Sequence, residues 1–579
     1  MARNKKIKSS SVASPVMTDN WRHILIVSLI VIFTFIIFFK VIYYQLVLWD
    51  DNFYISTNPL IRDMSLEGLK RIFTTPVEGM YNPLLFFIYA LEYRFGGLNP
   101  SVYHFTNLLM HLLAIITIYY FIFKLTKRYE TATIVALLFA IHPMHVGVVT
   151  WVSEMKTSLF LIFYLLALAN YLKYLRSNYK LKYLAYIALF FILSALSKPS
   201  AVTLAPMLLL LDYYVSRKID WRMFLEKIPF FLIALFFGIL TLYTHAAVED
   251  SIFEINLNYS LLNNLLISNY SIVFYFNKLF LPFDLCTIYP YPDNDTFLPL
   301  KYYLSIPIIP FILWLIYKAG NFRRELIFGL LFFLIAISVV LRIVPSGFFR
   351  AANRYTYLSY TGLFFIIGQF ITYVIDNRFR YAKKIKNYLL ITLCLFVLFF
   401  LYQTSARISV WENSITLFDD IIKKKPKFAL AYHNRALSKQ SLGDIQGAIA
   451  DFEKAIECYP AYASAYNNLG EIKRYLNEDE TALFYYNKAI FADVKYANAY
   501  SNKGIILNKK GKLVDAMTNY NMAVMLNANH GPALHNRASI KITYGDTLGA
   551  MRDWQKSDSL GVAESAKPLE IFSAIYKGN

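Results

Sequence analysis

The sequence predicts an all-α chain in two parts, a polytopic helical membrane body followed by a water-exposed helical solenoid. Three observations carry this reading. Apolar runs long enough to cross a bilayer recur up to about residue 405. Beyond about residue 411 the chain is polar and mixed in charge. Within that tail a pattern returns every 34 residues. The expected divisions are a cytoplasmic segment over 1–23, a membrane part over 24–405 with a first external loop of about 49–104, and a solenoid over 406–579.

Composition supports a membrane protein. Hydrophobic residues make up 57% and aromatic residues 17%, with a mean hydropathy of +0.41, above ordinary soluble domains. The net charge of +20 suggests nucleic acid in a soluble protein. Here many Lys and Arg sit in short loops between apolar runs, where the positive-inside rule places them. Cys286, Cys394 and Cys458 offer no disulfide framework and no metal-ligand spacing.

The first apolar run, 24–48, follows a basic start, Arg3 to Lys8, and is too long for a signal-peptide core. It reads as an uncleaved anchor with its N-terminus in the cytoplasm. Further spans are expected at 105–123, 132–150, 158–175, 183–197, 201–215, 228–245, 303–317, 325–341, 356–375 and 388–403. The stretch 261–282 carries Asn263, Asn264, Asn269 and Asn277 and reads as re-entrant or interfacial. About eleven crossings place the basic loops at 124–128, 173–182, 217–222, 323–324 and 378–386 in the cytoplasm. The tail then lies outside it. A composition rich in Ile, Lys, Asn, Tyr and Phe favours a bacterial inner membrane with a periplasmic tail; in a eukaryote the tail would be in the endoplasmic reticulum lumen.

The repeat is anchored by Ala431, Ala465, Ala499 and Ala533, with Asn434, Asn468, Asn502 and Asn536 three positions on. Gly443, Asn477, Gly511 and Gly545 mark the turns, and Ala448, Ala482, Ala516 and Ala550 fall on the second helices. A helix-turn-helix of this period is the signature of tetratricopeptide (TPR) repeats. About four repeats are expected, with a capping helix after Ala563. The recurring Asn side chains suit binding of an extended peptide backbone, or contact between neighbouring repeats.

The polar residues hardest to place in a membrane fall on the non-cytoplasmic face. They are Asp50 and Asp51, Asn82 beside Pro83, His142 and His145, Glu154 and Lys156, Lys198, Arg350 and Arg354. Each has a plain reading. Trp49-Asp50-Asp51 fits a solvated boundary, Lys198 a snorkelling lysine, and Glu154 with Lys156 a local ion pair. His142 and His145 lack the further ligands of a zinc site. Together, acids and bases on one membrane face suit a phosphate-bearing substrate and an acceptor arriving from outside.

At these residues the sequence resembles the transmembrane-and-TPR protein O-mannosyltransferases and their bacterial relatives. The resemblance rests on Trp49-Asp50-Asp51-Asn52-Phe53, Asn58-Pro59 with Arg62, Tyr81-Asn82-Pro83-Leu84, Leu98-Asn99-Pro100, Tyr103-His104, Asn107 to Leu109 and His111. It continues through Leu138 to His145, Trp151-Val152-Ser153-Glu154, Leu196 to Ser200, Leu209 to Tyr213 and Arg354-Tyr355-Thr356-Tyr357-Leu358. Three positions depart from the family pattern: Met155-Lys156-Thr157 stands for Arg-Lys-Asp, Asn82 for an Arg, and Asn353 for an Asp.

The resemblance implies a GT-C glycosyltransferase fold and transfer of mannose or a similar hexose from a polyprenyl-phosphate donor to a protein Ser/Thr hydroxyl. It implies a first-loop acid, Asp50 or Asp51, as base. The bases Arg354, Lys198 and Lys156 are expected to hold the donor phosphate, with Glu154, His142, His145, Asn82 and Tyr81 lining the site. Inversion at the sugar is expected from a single displacement. No firm cofactor and no metal ligand is assigned, and a divalent metal is left open. The expected partners are membrane lipid, the lipid-linked donor and a protein acceptor on the TPR array; no nucleic acid is expected. The rival readings are a transferase for glycan or lipid and a membrane-anchored TPR assembly scaffold.

Overall fold

A computed structural model describes residues 16–246, 259–292, 297–341, 349–376 and 382–577. The basic start Arg3 to Lys8 lies outside them, as does part of the loop at 378–386. The chain divides into two units, Met1–Leu417 and Phe418–Asn579.

The first unit is helical. Among the described residues seven helices are long and apolar enough to cross a membrane, or eight if one bent pair counts as a span. This corrects the expectation of about eleven. The runs at 183–197 and 325–341 form helices of only 16 and 15 residues, Lys182–Ser197 and Arg323–Ile337. The run at 201–215 is split between a 3-10 turn, Pro199–Thr203, and the 11-residue helix Leu204–Tyr214. An apolar run records composition, whereas helix length depends on where the i→i−4 bonding stops. The stretch at 261–282 forms the helix Leu261–Phe280, which is not among the seven.

The run at 132–150 is the bent pair, Tyr129–Ile141 and Pro143–Thr150, kinked by 56°. Pro143 has no N–H, so the Phe139 carbonyl loses its helical partner. His145 Nδ1–H donates to it instead at 2.9 Å. The His145 amide turns to the His142 carbonyl at 2.9 Å, and the freed Ile141 carbonyl accepts from the Thr404 hydroxyl at 2.7 Å. The two carbonyls of Phe139 and Ile141 thus find side chains, and the His145 amide finds a backbone carbonyl.

Helix Thr356–Ile375 packs against Arg323–Ile337 and Tyr129–Ile141. Gly329 and Gly362 let the first pair approach closely: a Cβ on Gly329 would lie 2.5 Å from the Gly362 carbonyl oxygen. Helix Met155–Arg176 packs against Lys182–Ser197 and Pro100–Thr126. A short antiparallel ribbon, Tyr289–Pro290 with Phe349–Ala351, interrupts the all-α plan and leads into the turn Asn353–Tyr355.

The second unit is a run of helix pairs at the expected period: Ala429–Ser441 with Ile445–Cys458, Ala463–Tyr475 with Asp479–Ala492, Ala497–Lys509 with Leu513–Leu526, and Gly531–Thr543 with Thr547–Ser559. A final helix, Ala566–Lys577, packs on the last pair. The inter-helix turns need a positive φ, taken by Gly443 (83°), Asn477 (61°), Gly511 (72°) and Gly545 (79°). Asn is among the few side chains that adopt this region readily. Inside the repeats, Gly470 and Gly504 make room for the rings of Tyr486 and Tyr520.

Candidate functional site

Four elements far apart in sequence meet at one end of the first unit. These are the segment after the first span, the start of the helix at Met155, the end of Lys182–Ser197, and the turn Asn353–Tyr355. At their junction lies Glu154, 2% exposed. Its Oε1 is 3.2 Å from Arg354 Nε and 3.9 Å from Lys156 Nζ. Its Oε2 is 3.4 Å from Lys198 Nζ and accepts the Thr157 hydroxyl at 2.5 Å. Lys198 also donates to the Thr157 oxygen at 2.6 Å. Three cations therefore share one carboxylate, and a buried excess of positive charge remains.

Aromatic faces hold the cations in place. The Lys156 ammonium lies 4.8 Å from the ring centre of Tyr54, and the Arg354 guanidinium lies 5.3 Å from those of Trp151 and Tyr355. Trp151 in turn packs on Trp49 and stacks on Trp411, at 5.9 and 5.7 Å.

The two neighbouring acids differ. Asp51 is buried and spent: Oδ2 accepts the Val47 amide at 3.1 Å, while Oδ1 accepts the Ser153 amide at 3.0 Å and its hydroxyl at 2.5 Å. Burial pushes its pKa up from 3.8 to about 6 against those hydrogen bonds. Asp50 is half-buried and has no hydrogen-bond partner among the described residues. Burial raises its pKa, the positive charges of Lys156 and Arg354 oppose the rise, and Glu154 adds to it. Asp50 thus faces the cation cluster with its carboxylate unengaged. Just beyond, the chain takes a π-helical turn, Asn52–Ser56, a form often found at functional sites.

The structure brings Asp50, Glu154, Lys156, Lys198 and Arg354 together. It sets others apart from them. His142 and His145 do not line the charged cluster; both lie in an aromatic core with Tyr360 and Phe364. His142 Nε2–H donates to the Leu279 carbonyl at 3.2 Å, and its Nδ1 accepts from the Met144 amide at 3.3 Å. The Tyr81 hydroxyl donates to the Phe73 carbonyl at 2.8 Å. Asn82 is buried, and with its amide nitrogen turned toward them it satisfies the carbonyls of Tyr81 (3.1 Å) and Ser197 (3.3 Å). It thereby ties the first loop to the residue before Lys198. Arg350 is clamped between Tyr270 and Phe274, at 4.8 and 5.0 Å from their ring centres.

Ser153, Thr157 and Tyr54 escaped the sequence reading as site residues. Thr157 stands where the resembled family has an acid, and its hydroxyl bridges Glu154 and Lys198.

In the repeat unit Asn468 Nδ2 lies 3.1 Å from His433 Nε2 of the preceding repeat. Asn502 donates to Asn467 (3.0 Å) and Glu471 (2.7 Å), also of the preceding repeat. Asn434 meets only its neighbour His433, at 3.3 Å, and Asn536 has no hydrogen-bond partner among the described residues. Arg435 is paired with Asp451 and Asp419, and Arg537 with Asp553.

Two tetratricopeptide-repeat models match, at residues 452–484 and 429–462. The chain is 24% identical over 407 residues to a protein O-mannosyl-transferase, F38B6.6, of Caenorhabditis elegans, covering 67% of this chain and 56% of that relative. It is 34% identical over 92 residues to the protein O-mannosyl-transferase TMTC3 of Homo sapiens, covering 16% of this chain and 10% of that relative. Among solved structures, a match of 25% identity covers 29% of this chain and 84% of PilW, a type IV pilus biogenesis factor, at a TM-score of 0.24. The chain spans about half the length of the first of these curated relatives (56%). It carries TPR repeats and several candidate transmembrane helices, and its curated relatives are named protein O-mannosyl-transferases.

Proposed function

We propose that this chain is an integral membrane glycosyltransferase of the GT-C type, a bacterial relative of the proteins it resembles. It moves mannose or a similar hexose from a polyprenyl-phosphate donor to a Ser or Thr hydroxyl of a protein outside the cytoplasm. The observation that carries this reading is the free carboxylate of Asp50 beside three cations that share the single acid Glu154.

Asp50 takes the proton of the acceptor hydroxyl as its oxygen attacks the anomeric carbon. The bond from that carbon to the donor phosphate oxygen breaks, and the phosphate leaves as an anion. Arg354, Lys198 and Lys156 stabilise its developing charge; being charged throughout, it needs no proton from the protein. One displacement inverts the anomeric centre. Asp51 acts on neither substrate and holds the Asp50 backbone against Ser153. Glu154 spaces the cations and keeps them from repelling one another. The TPR repeats lie outside the cytoplasm and bind the acceptor chain, with Asn434 and Asn536 available to its backbone.

The test is sugar transfer to a Ser/Thr peptide by purified full-length protein in liposomes loaded with polyprenyl-phosphate hexose. Asp50→Asn should cut turnover by about a hundredfold or more, the usual contribution of a general base, without lowering thermal stability. Full activity of a correctly folded Asp50→Asn would falsify the base assignment.

A further inference from the structure

The polar network at the opposite end of the membrane unit is not used by this chemistry. Glu154 and Tyr171 lie on one continuous helical segment, Val152–Arg176, roughly 25 Å apart along its axis at 1.5 Å per residue. At the far end the Tyr171 hydroxyl donates to Asp212 at 2.6 Å. Asp212 pairs with Lys227 at 2.5 Å, and Arg217 pairs with Glu226 at 2.8 Å. These four charges cancel. Two of them, Asp212 and Arg217, line a cavity of about 600 Å³ together with Leu209, Tyr213, Arg323 and Arg324, a size within the usual range of ligand sites.

Arg323 and Arg324 are not balanced in this way. Arg323 donates to the carbonyls of Ile316 (3.1 Å) and Tyr317 (2.9 Å), and Arg324 to the carbonyl of Tyr213 (2.7 Å) and the Ser216 hydroxyl. These are neutral acceptors. Neither arginine has a carboxylate partner among the described residues. Both occupy the first turn of helix Arg323–Ile337, whose acid Glu325 does not line the cavity, and the carbonyls they bond belong to the last turns of helices Ile308–Lys318 and Leu204–Tyr214. The cavity therefore gathers two cations that no carboxylate neutralises among the described residues.

Its rim is apolar and aromatic. Ile219 and Tyr213 line it and are 76% and 44% exposed, and Trp221, two residues beyond Ile219 in the chain, is 74% exposed. Aromatic side chains at the ends of membrane helices sit at headgroup depth. A free phosphate would gain nothing from that rim, whereas acyl chains would lie along it.

We propose that this cavity binds the phosphate headgroup of an anionic phospholipid, with Arg323 and Arg324 as the ligating residues. Basic pockets between membrane helices take such headgroups.

Native mass spectrometry of the full-length chain, released from nanodiscs of phosphatidylglycerol and phosphatidylcholine, tests this. The wild type should retain one phosphatidylglycerol in preference to phosphatidylcholine. The double variant Arg323→Ala/Arg324→Ala should weaken that binding roughly thirtyfold, as expected for two basic contacts. Asn321→Trp, which fills the rim without changing charge, should weaken it too, and serves if the double variant fails to fold. Millimolar inorganic phosphate should not displace the lipid. Undiminished phosphatidylglycerol binding by the folded variants, or displacement by inorganic phosphate, would overturn the proposal.

Discussion

Asp51 and Ser153, 102 residues apart, are joined twice: one carboxylate oxygen accepts both the Ser153 amide (3.0 Å) and the Ser153 hydroxyl (2.5 Å). The bond pins the end of the first span to the turn that carries Glu154. It also explains why two adjacent acids have different parts. On a tight turn their side chains diverge, one into the fold and one toward the cations.

Asp51→Asn should therefore destabilise the protein, by about 1–3 kcal/mol for a buried hydrogen-bonding group left mismatched. The sign of its pH dependence follows from the raised pKa. The folded chain holds this proton more tightly than the unfolded chain, so the contribution is complete below pH 3.8 and is lost as pH rises through about 6. Thermal unfolding of both proteins between pH 4 and 7 should show the gap between wild type and variant narrowing. A gap that widens with pH contradicts this.

Burial also raises the Asp50 carboxyl above 3.8, and a base must be ionised to act. The rate of sugar transfer should rise with pH, with its inflection above that ordinary value. The inflection should vanish in the residual activity of Asp50→Asn. A pH–rate profile of kcat/KM for the two proteins decides it.

Glu154→Gln leaves Arg354, Lys156 and Lys198 with one anion fewer. Breaking a buried charge cluster in this way costs on the order of 3–5 kcal/mol. The melting temperature should fall by more than for Thr157→Val, which keeps all the charges. Equal melting temperatures for the two variants would show that Glu154 does not hold the cations together.

The four repeating asparagines should separate by role. Asn468 and Asn502 bond the preceding repeat, so Asn502→Ala should lower stability by about 1 kcal/mol, the net worth of a hydrogen bond. Asn536→Ala should leave stability unchanged and weaken acceptor-peptide binding. Denaturant unfolding and peptide titration of the full chain measure the two effects, and the reverse pattern would exclude an acceptor role for Asn536.

The repeats were legible in the sequence because each is local. Ala431 and its equivalents, and the turn positions from Gly443 to Gly545, lie within one 34-residue unit and need no distant partner. The membrane unit was less so. Hydropathy alone does not show that Pro143 bends a span, or that the run before Lys198 makes only a 16-residue helix. Asp50, Glu154, Lys198 and Arg354 stood out singly as charges at membrane depth. That three cations converge on Glu154 depends on packing between helices up to 200 residues apart, which no local pattern encodes. His142 and His145 were expected to line the site because they stood out as polar residues at membrane depth, and in the structure they hydrogen-bond the backbone instead.

Those histidines answer a difficulty peculiar to lipid. A helix that breaks in water is repaired by the medium; one that breaks inside a bilayer has no such supply, and an orphaned carbonyl there costs several kcal/mol. At the His142–Pro143 bend the chain carries its own solvent. One imidazole and the hydroxyl of Thr404 hydrate Phe139 and Ile141, and Trp151 and Glu154 follow only a few residues beyond the bend.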